Sequence, residues 1–119
     1  MRSLTYVFIA GPYGRDGYLT ITRNIARARE AAAFLANNAI PFFCPHLNSA
    51  YFEYITPDVP VQFWNDLDLA VLDHASAVWL LDGWETSKGT LVELDRAKLL
   101  RIPSWLPAEG DDLVQWWHS

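Results

Sequence analysis

The chain has one cysteine, one methionine and six glycines in 119 residues, and no surplus of positive charge. Nine lysines and arginines stand against fourteen aspartates and glutamates, a formal net charge of −5. Each shortage excludes something. A lone Cys44 has no intramolecular disulfide partner, which excludes a disulfide-stapled scaffold. The acidic balance disfavours a broad basic surface for DNA or RNA phosphates, while leaving room for a small anion held locally. No apolar run approaches the roughly 18 residues that a membrane-spanning helix needs. No repeat recurs at a fixed period, and neither tail is long or biased. Met1 leads almost directly into an apolar run at residues 6–10, without the basic region and long apolar stretch of an export signal. These absences predict a soluble cytoplasmic protein with no nucleic-acid polymer and no membrane among its partners.

What is present is enough apolar side chain, 51% of residues, to fill one core, and a length that allows a single domain over residues 1–119. Residues 6–10 form a short apolar run ended by Gly11-Pro12, the mark of a strand buried on both faces. An alanine-rich segment, 21–37, reads as a helix closed by Asn37-Asn38. Residues 41–44 read as a second strand stopped by Pro45, and 48–60, aromatic and without a clean period, as a long loop or lid over the site. A helix over 60–74 leads to a third strand at 77–81, and Asp82-Gly83 turns the chain. A helix over 87–100, a short edge strand over 102–106 despite Pro103, and a closing helix over 111–117 complete the pattern. Trp116 and Trp117 are expected to seal that last helix onto the sheet or a dimer interface.

Alternating short strands and helices predict an α/β fold: a single-domain Rossmann-like (flavodoxin-like) three-layer sandwich with a parallel sheet of four to five strands. Ligands bind outside the carboxyl ends of the strands in such sheets. Residues 11–16, Pro45-His46 and residues 82–89 all fall there, which predicts one pocket containing Gly11, Pro12, Tyr13, Gly14, Arg15, His46, Ser87 and Gly89.

Ser87-Lys88-Gly89-Thr90 opens a helix, where unpaired amides and the helix dipole favour an anion and a glycine admits a ligand close to the backbone. Plain capping by Thr86 or Ser87 explains the same residues. Glu93, four residues after Gly89, shares its helix face and looks across the space the glycine leaves. On the preceding helix, Asp66 and Asp73 fall beside Gln62 on the polar face, where solvent suffices for them. Asp68 falls among Val61, Trp64, Val71, Leu72 and Ala75, where desolvation would raise its pKa and make it a proton donor; a surface ion pair with an arginine is the alternative. Two carboxyls with divergent environments suit glycosidic bond cleavage, one attacking the anomeric carbon and one protonating the leaving group. Arg15 offers a bidentate fork for a phosphate. His46 and the aromatics Tyr51, Phe52 and Tyr54 either stack on a base or serve as core plugs and oligomer contacts. His46, His74 and His118 lie in separate segments without ligand spacing, and the glycine-rich nucleotide fingerprints are absent, so no metal and no cofactor are expected.

The residues also carry a resemblance. A strand ending in Ile9-Ala10-Gly11-Pro12-Tyr13, then Asp68-Leu69 with Asp73-His74-Ala75-Ser76-Ala77-Val78, then Gly83-Trp84-Glu85-Thr86-Ser87-Lys88-Gly89-Thr90 and Glu93, resembles the nucleoside 2-deoxyribosyltransferases and the 2′-deoxynucleoside 5′-monophosphate N-glycosidases, with their uncharacterised bacterial and phage relatives. It spans about residues 6–103. The resemblance implies that Glu93 is the nucleophile, Asp68 an acid or positioning group at sugar and base, and Tyr13 a neighbour of sugar and nucleophile. It implies that Ser87 and Gly89 hold a 5′-phosphate, with further contacts from the loop of Gly14 and Arg15, and that the protein is a homodimer or higher homo-oligomer. Two features depart from the pattern: Ser76 stands where an aspartate is usual, and the Gly-Trp-Glu insertion is foreign to the well-studied enzymes. The expected activity is hydrolysis of a nucleoside 5′-monophosphate through a covalent glycosyl intermediate. Deoxyribosyl transfer on free nucleosides and a non-catalytic nucleotide-binding module are the alternatives, with a purely structural or interaction role behind them.

Overall fold

Two unbroken apolar runs make the centre of the molecule. Val7–Ala10 (β1) and Ala77–Leu80 (β3) are buried at every position. The computed structural model, which describes residues 3–14 and 17–119, pairs them in parallel, Val7 opposite Ala77 through Ala10 opposite Leu80. Phe42–Phe43 (β2) flanks β1 and Ser104–Trp105 (β4) flanks β3, so the sheet runs β2-β1-β3-β4, all parallel.

Side chains alternate across the sheet, and each face recruits its own helices. Val7, Ile9, Ala77 and Trp79 pack with Leu35 and Leu113, which belong to α1 (Tyr18–Asn37) and to the C-terminal helix Gly110–Trp117. Phe8, Ala10, Val78 and Leu80 pack with Leu72 and Leu94. Those two come from the helices Val61–Leu72 and Lys88–Leu99. The result is a Rossmann-like three-layer α/β sandwich. Two single-turn helices, α2 (Pro45–Asn48) and α3 (Phe52–Ile55), precede Val61–Leu72, which is α4; Lys88–Leu99 is α5 and Gly110–Trp117 is α6. Trp116 and Trp117 do cover the core from α6, with the Trp105 and Trp116 rings 4.7 Å apart. No helix among the described residues is long and apolar enough to cross a membrane.

The differences from the sequence reading have local causes. Residues 48–60 are not simply a loop: α2 and α3 are four residues each, too short to impose a 3.6-residue period on the sequence. The edge strand over 102–106 contracts to Ser104–Trp105, because Pro103 has no N–H to give, although its carbonyl accepts from the Val78 N–H at 2.9 Å. Helix α1 begins at Tyr18 rather than Ile21; Tyr18 and Leu19 are exposed and add no burial period.

Helix α1 ends with Ala39 in the left-handed region at φ 58°, where the Ile40 N–H reaches back to the Leu35 carbonyl at 3.0 Å. Glycine is favoured at that position because it has no Cβ to crowd the carbonyl. Ala39→Gly is therefore expected to stabilise the fold by about 1 kcal/mol, read as a rise of a few degrees in thermal melting. An unchanged or lower melting temperature would contradict this account of the helix end.

Candidate active site

The strand order reverses between β1 and β3, so the chain leaves their carboxyl ends toward opposite faces, the place where such sheets open a crevice. The turns that follow the two strands touch there. A Cβ on Gly11 would lie 2.7 Å from the Leu81 Cβ, and one on Gly83 would lie 3.2 Å from the Pro12 Cγ. Gly11 is thus accounted for by packing between strand ends. Gly14 has φ 145°, and its Cβ would lie 2.9 Å from Ile21 Cγ1, so backbone geometry and packing both require glycine.

Helices α4 and α5 lie side by side on one face of the sheet, α4 carrying Asp68 and α5 carrying Glu93. Burial pushes the Asp68 carboxyl up to about 6, as its position on the helix wheel predicts. Burial, with the Asp68 charge as a second cause, pushes Glu93 up to about 8. Both charges also bear on the Cys44 thiol just after β2, which burial above all holds at about 12. The two carboxyls therefore share one region of low solvation near the end of β2. Neither accepts a hydrogen bond from the described residues, and both remain half-buried rather than sealed. Two carboxyls that cannot easily both ionise hold one proton between them near neutral pH.

The N-terminus of α5 lies one turn before Glu93. Ser87 caps it: the Thr90 N–H donates to Ser87 Oγ at 3.3 Å and the Thr90 hydroxyl at 2.9 Å. Both bonds use Ser87 as acceptor, which leaves its own O–H to donate elsewhere. The Leu91 N–H takes the Ser87 carbonyl at 3.0 Å, and the amides of Lys88 and Gly89 have no partner among the described residues. A Cβ at Gly89 would meet nothing within 4 Å. Neither packing nor a positive φ calls for glycine at this exposed helical position, so the missing side chain serves as free space above the amides.

The loop after β1 is pinned from below. His46, buried on α2, donates from Nε2 to the Pro12 carbonyl at 2.8 Å, and its Nδ1 lies 3.7 Å from the Cys44 sulfur. Burial lowers the His46 pKa, which keeps the ring neutral with Nδ1 as acceptor for the thiol. Asn24, buried on α1, donates to the Tyr13 carbonyl at 2.8 Å. The Tyr13 hydroxyl donates to the Glu53 carboxylate, 2.9 and 3.0 Å from its two oxygens, and accepts from the Tyr51 N–H at 2.8 Å. Burial first, with the Glu53 bond and charge, drives Tyr13 to about 12.

Set against the sequence expectations, Asp68 lies close enough for its charge to act on Glu93, and Ser87 and Gly89 open the helix that carries Glu93. His46 is brought to the same end of the sheet, but with both ring nitrogens engaged within the protein, so it positions the β1 loop and does not face a ligand. Tyr13 is bonded to the α3 segment rather than to Glu93. Arg15 lies outside the described residues. Asp73 is not merely solvated: Arg96 Nε and Nη2 grip its two oxygens at 2.7 and 2.8 Å. The arginine pairing considered for Asp68 thus belongs to Asp73. Ser76 bonds to Thr5, accepting from its N–H at 2.7 Å, at the opposite end of β3. Sequence reasoning missed Asn24 and Glu53. A polar, poor helix former inside an alanine-rich helix was an available signal for Asn24; Glu53 carried none. No group of three or more metal-ligating side chains gathers among the described residues.

Residues 5–106 match the model of a family described as a domain of unknown function, DUF7768. The match covers most of the chain, and the chain belongs to that family. No curated protein matches it.

Proposed function

We propose that this member of the DUF7768 family cleaves the N-glycosidic bond of a nucleoside 5′-monophosphate, with Glu93 as nucleophile and Asp68 as proton donor. One observation carries the reading: two half-buried carboxyls on adjacent helices, each raised by desolvation and each without a hydrogen bond from the described residues, beside a helix start with two free amides and open space over Gly89. A structural ion pair would not leave both groups unpartnered. The N-terminus of α5 suits the 5′-phosphate through the amides of Lys88 and Gly89 and the Ser87 hydroxyl.

The proton inventory fits the reaction. In the free protein the shared proton rests mainly on Glu93. Positive charge growing at the anomeric carbon stabilises Glu93 as a carboxylate and moves the proton's balance toward Asp68. The Glu93 oxygen bonds to C1′ as the bond from C1′ to the base nitrogen breaks, and Asp68 gives its proton to the departing base. Water then attacks C1′, returns a proton to Asp68 and frees Glu93. With a second base in place of water the same steps amount to transfer. The resemblance to the deoxyribosyltransferase group supports this chemistry and implies a homodimer.

Incubation with the common ribo- and deoxyribonucleoside 5′-monophosphates is expected to release free base from at least one of them. Silence with all of them overturns hydrolysis, and exchange between free nucleosides and an added base would select transfer instead. A second reading, a nucleotide-binding module without turnover, is favoured by the engagement of Tyr13 with Glu53 and Tyr51; it predicts a rise in melting temperature with a monophosphate and no base release.

Gly89 gives a separate check. Gly89→Ala should stabilise the free protein by about 0.5–1 kcal/mol, because glycine is costly in a helix. The same substitution should raise KM for a monophosphate at least severalfold, since the methyl group enters the space above the amides. Equal affinity in wild type and variant would remove the phosphate from this helix.

A further inference from the structure

The face of the sheet opposite α4 and α5 has an opening of its own. Trp79 of β3 and Phe34 of α1 meet there with ring centroids 5.5 Å apart. Helix α6 starts directly on them: a Cβ on Gly110 would lie 2.9 Å from Trp79 Cζ2. The Trp79 indole N–H donates to the Leu106 carbonyl at 3.1 Å, so the ring offers a ligand only its apolar surface. Beside these rings, between α1 and the chain that enters α6, lies a cavity of about 410 Å³ with Arg27, Glu30, Asp82 and Asp111 in its lining. A second cavity of about 340 Å³ shares Asp82, Pro107 and Ala108 with the first and reaches Trp84 and Glu85. The two adjoin along Pro107-Ala108 and make one elongated groove.

The lining is apolar at its floor and acidic along its length. Glu30, Asp82, Glu85 and Asp111 stand against a single cation, Arg27. All five are exposed, and none of their side chains makes an ion pair or a hydrogen bond among the described residues. Walls of one charge sign over an apolar floor focus the field and raise the local concentration of counter-ions.

We propose that this groove binds a linear polyamine, a small organic cation whose ammonium groups are separated by short methylene stretches. The acids follow one another as the ammonium groups of such a chain do: Glu30 and Asp111 belong to one cavity, Asp82 to both, and Glu85 to the other. The methylenes lie over Trp79, Leu81 and Pro107, and an ammonium near the two rings gains cation–π attraction. Each cavity is within the roughly 300–1,000 Å³ usual for a small-molecule site. The groove lies across the sheet from Asp68 and Glu93 and depends on nothing in their chemistry.

Titration calorimetry with spermidine in about 0.1 M salt should show one molecule bound per chain, with a micromolar dissociation constant. Putrescine, a shorter diamine that spans only part of the groove, should bind severalfold more weakly. Asp82→Asn with Asp111→Asn should weaken spermidine by about tenfold or more, the loss of two charge pairs at a partly exposed site. Ala108→Trp should weaken it as much without altering any charge, because Ala108 is exposed where the cavities adjoin. Asp112→Asn, which removes an exposed acid that lines neither cavity, should leave the affinity unchanged. Melting profiles of all the variants should stay native-like. No binding of spermidine up to about 1 mM, or equal affinity for putrescine, overturns the proposal. So does an Asp112→Asn loss as large as that of the double substitution, which would mean attraction to the acidic surface at large, or an Ala108→Trp variant that binds like wild type.

Discussion

Replacing Glu93 by alanine is expected to reduce base release by roughly 10⁴-fold or more, the scale on which removing a nucleophile acts. Among the described residues no other carboxyl stands in that low-solvation region except Asp68, and Asp68 is needed for the proton. Asp68→Asn should cost about 10²–10⁴-fold, the usual worth of a general acid. The two losses differ in kind. Without Glu93 no bond forms at C1′, so every leaving base is affected alike. Without the Asp68 proton the loss should be greatest for bases that leave poorly and should shrink for bases that depart without protonation. A small anion such as azide, admitted by the space the Glu93→Ala change opens, should restore part of the rate by attacking C1′ in place of the carboxylate. Rate measurements on both variants across several bases check this. Near-wild-type release by Glu93→Ala would overturn the nucleophile, and a uniform loss across bases in Asp68→Asn would reduce Asp68 to a positioning residue.

The parts of this site that were legible from sequence are those with a period behind them. Residues 7–10 and 77–80 announce buried strands because four consecutive apolar residues leave no polar face. Asp68 was separable from Asp66 and Asp73 because a helix assigns each residue an azimuth, and the wheel put Asp68 alone among apolar neighbours. What was illegible depends on contacts between distant segments. The Tyr13 hydroxyl meets Glu53 across 40 positions, and Asp73 meets Arg96 across 23. No periodicity encodes either pairing. Gly11 and Gly14 were expected in the pocket, but Leu81 and Ile21 already occupy the positions a side chain would need there. Gly89, expected to admit a ligand close to the backbone, does face open space. His46 looked available because it follows a strand end, but α2, a single turn, folds its ring beneath Pro12.

Glu93→Gln should make the protein more stable, and the gain should grow with pH. In the folded chain burial holds the Glu93 carboxyl up at about 8, against an ordinary value of 4.5. The folded state therefore binds a proton that the unfolded chain has released throughout that interval. Stability linked to Glu93 is fully present below about pH 4.5, declines as pH rises through the interval, and levels off above about 8. Asp68 acts in the same sense over the narrower range from 3.8 to about 6. Glutamine keeps the shape and cannot ionise, so it removes the Glu93 share of the decline and also relieves Asp68 of a neighbouring charge. The expected gain at pH 8.5 is roughly 2 kcal/mol, several degrees in melting temperature for a chain of this size, and close to nothing at pH 4.5. Melting curves of wild type and variant across that range give the comparison directly. Identical pH profiles would mean that Glu93 is as well solvated folded as unfolded, and the case for a poised carboxyl pair would fall with it. A variant that is both more stable at high pH and unable to release base would identify Glu93 as a group held in an unfavourable environment where its chemistry requires it.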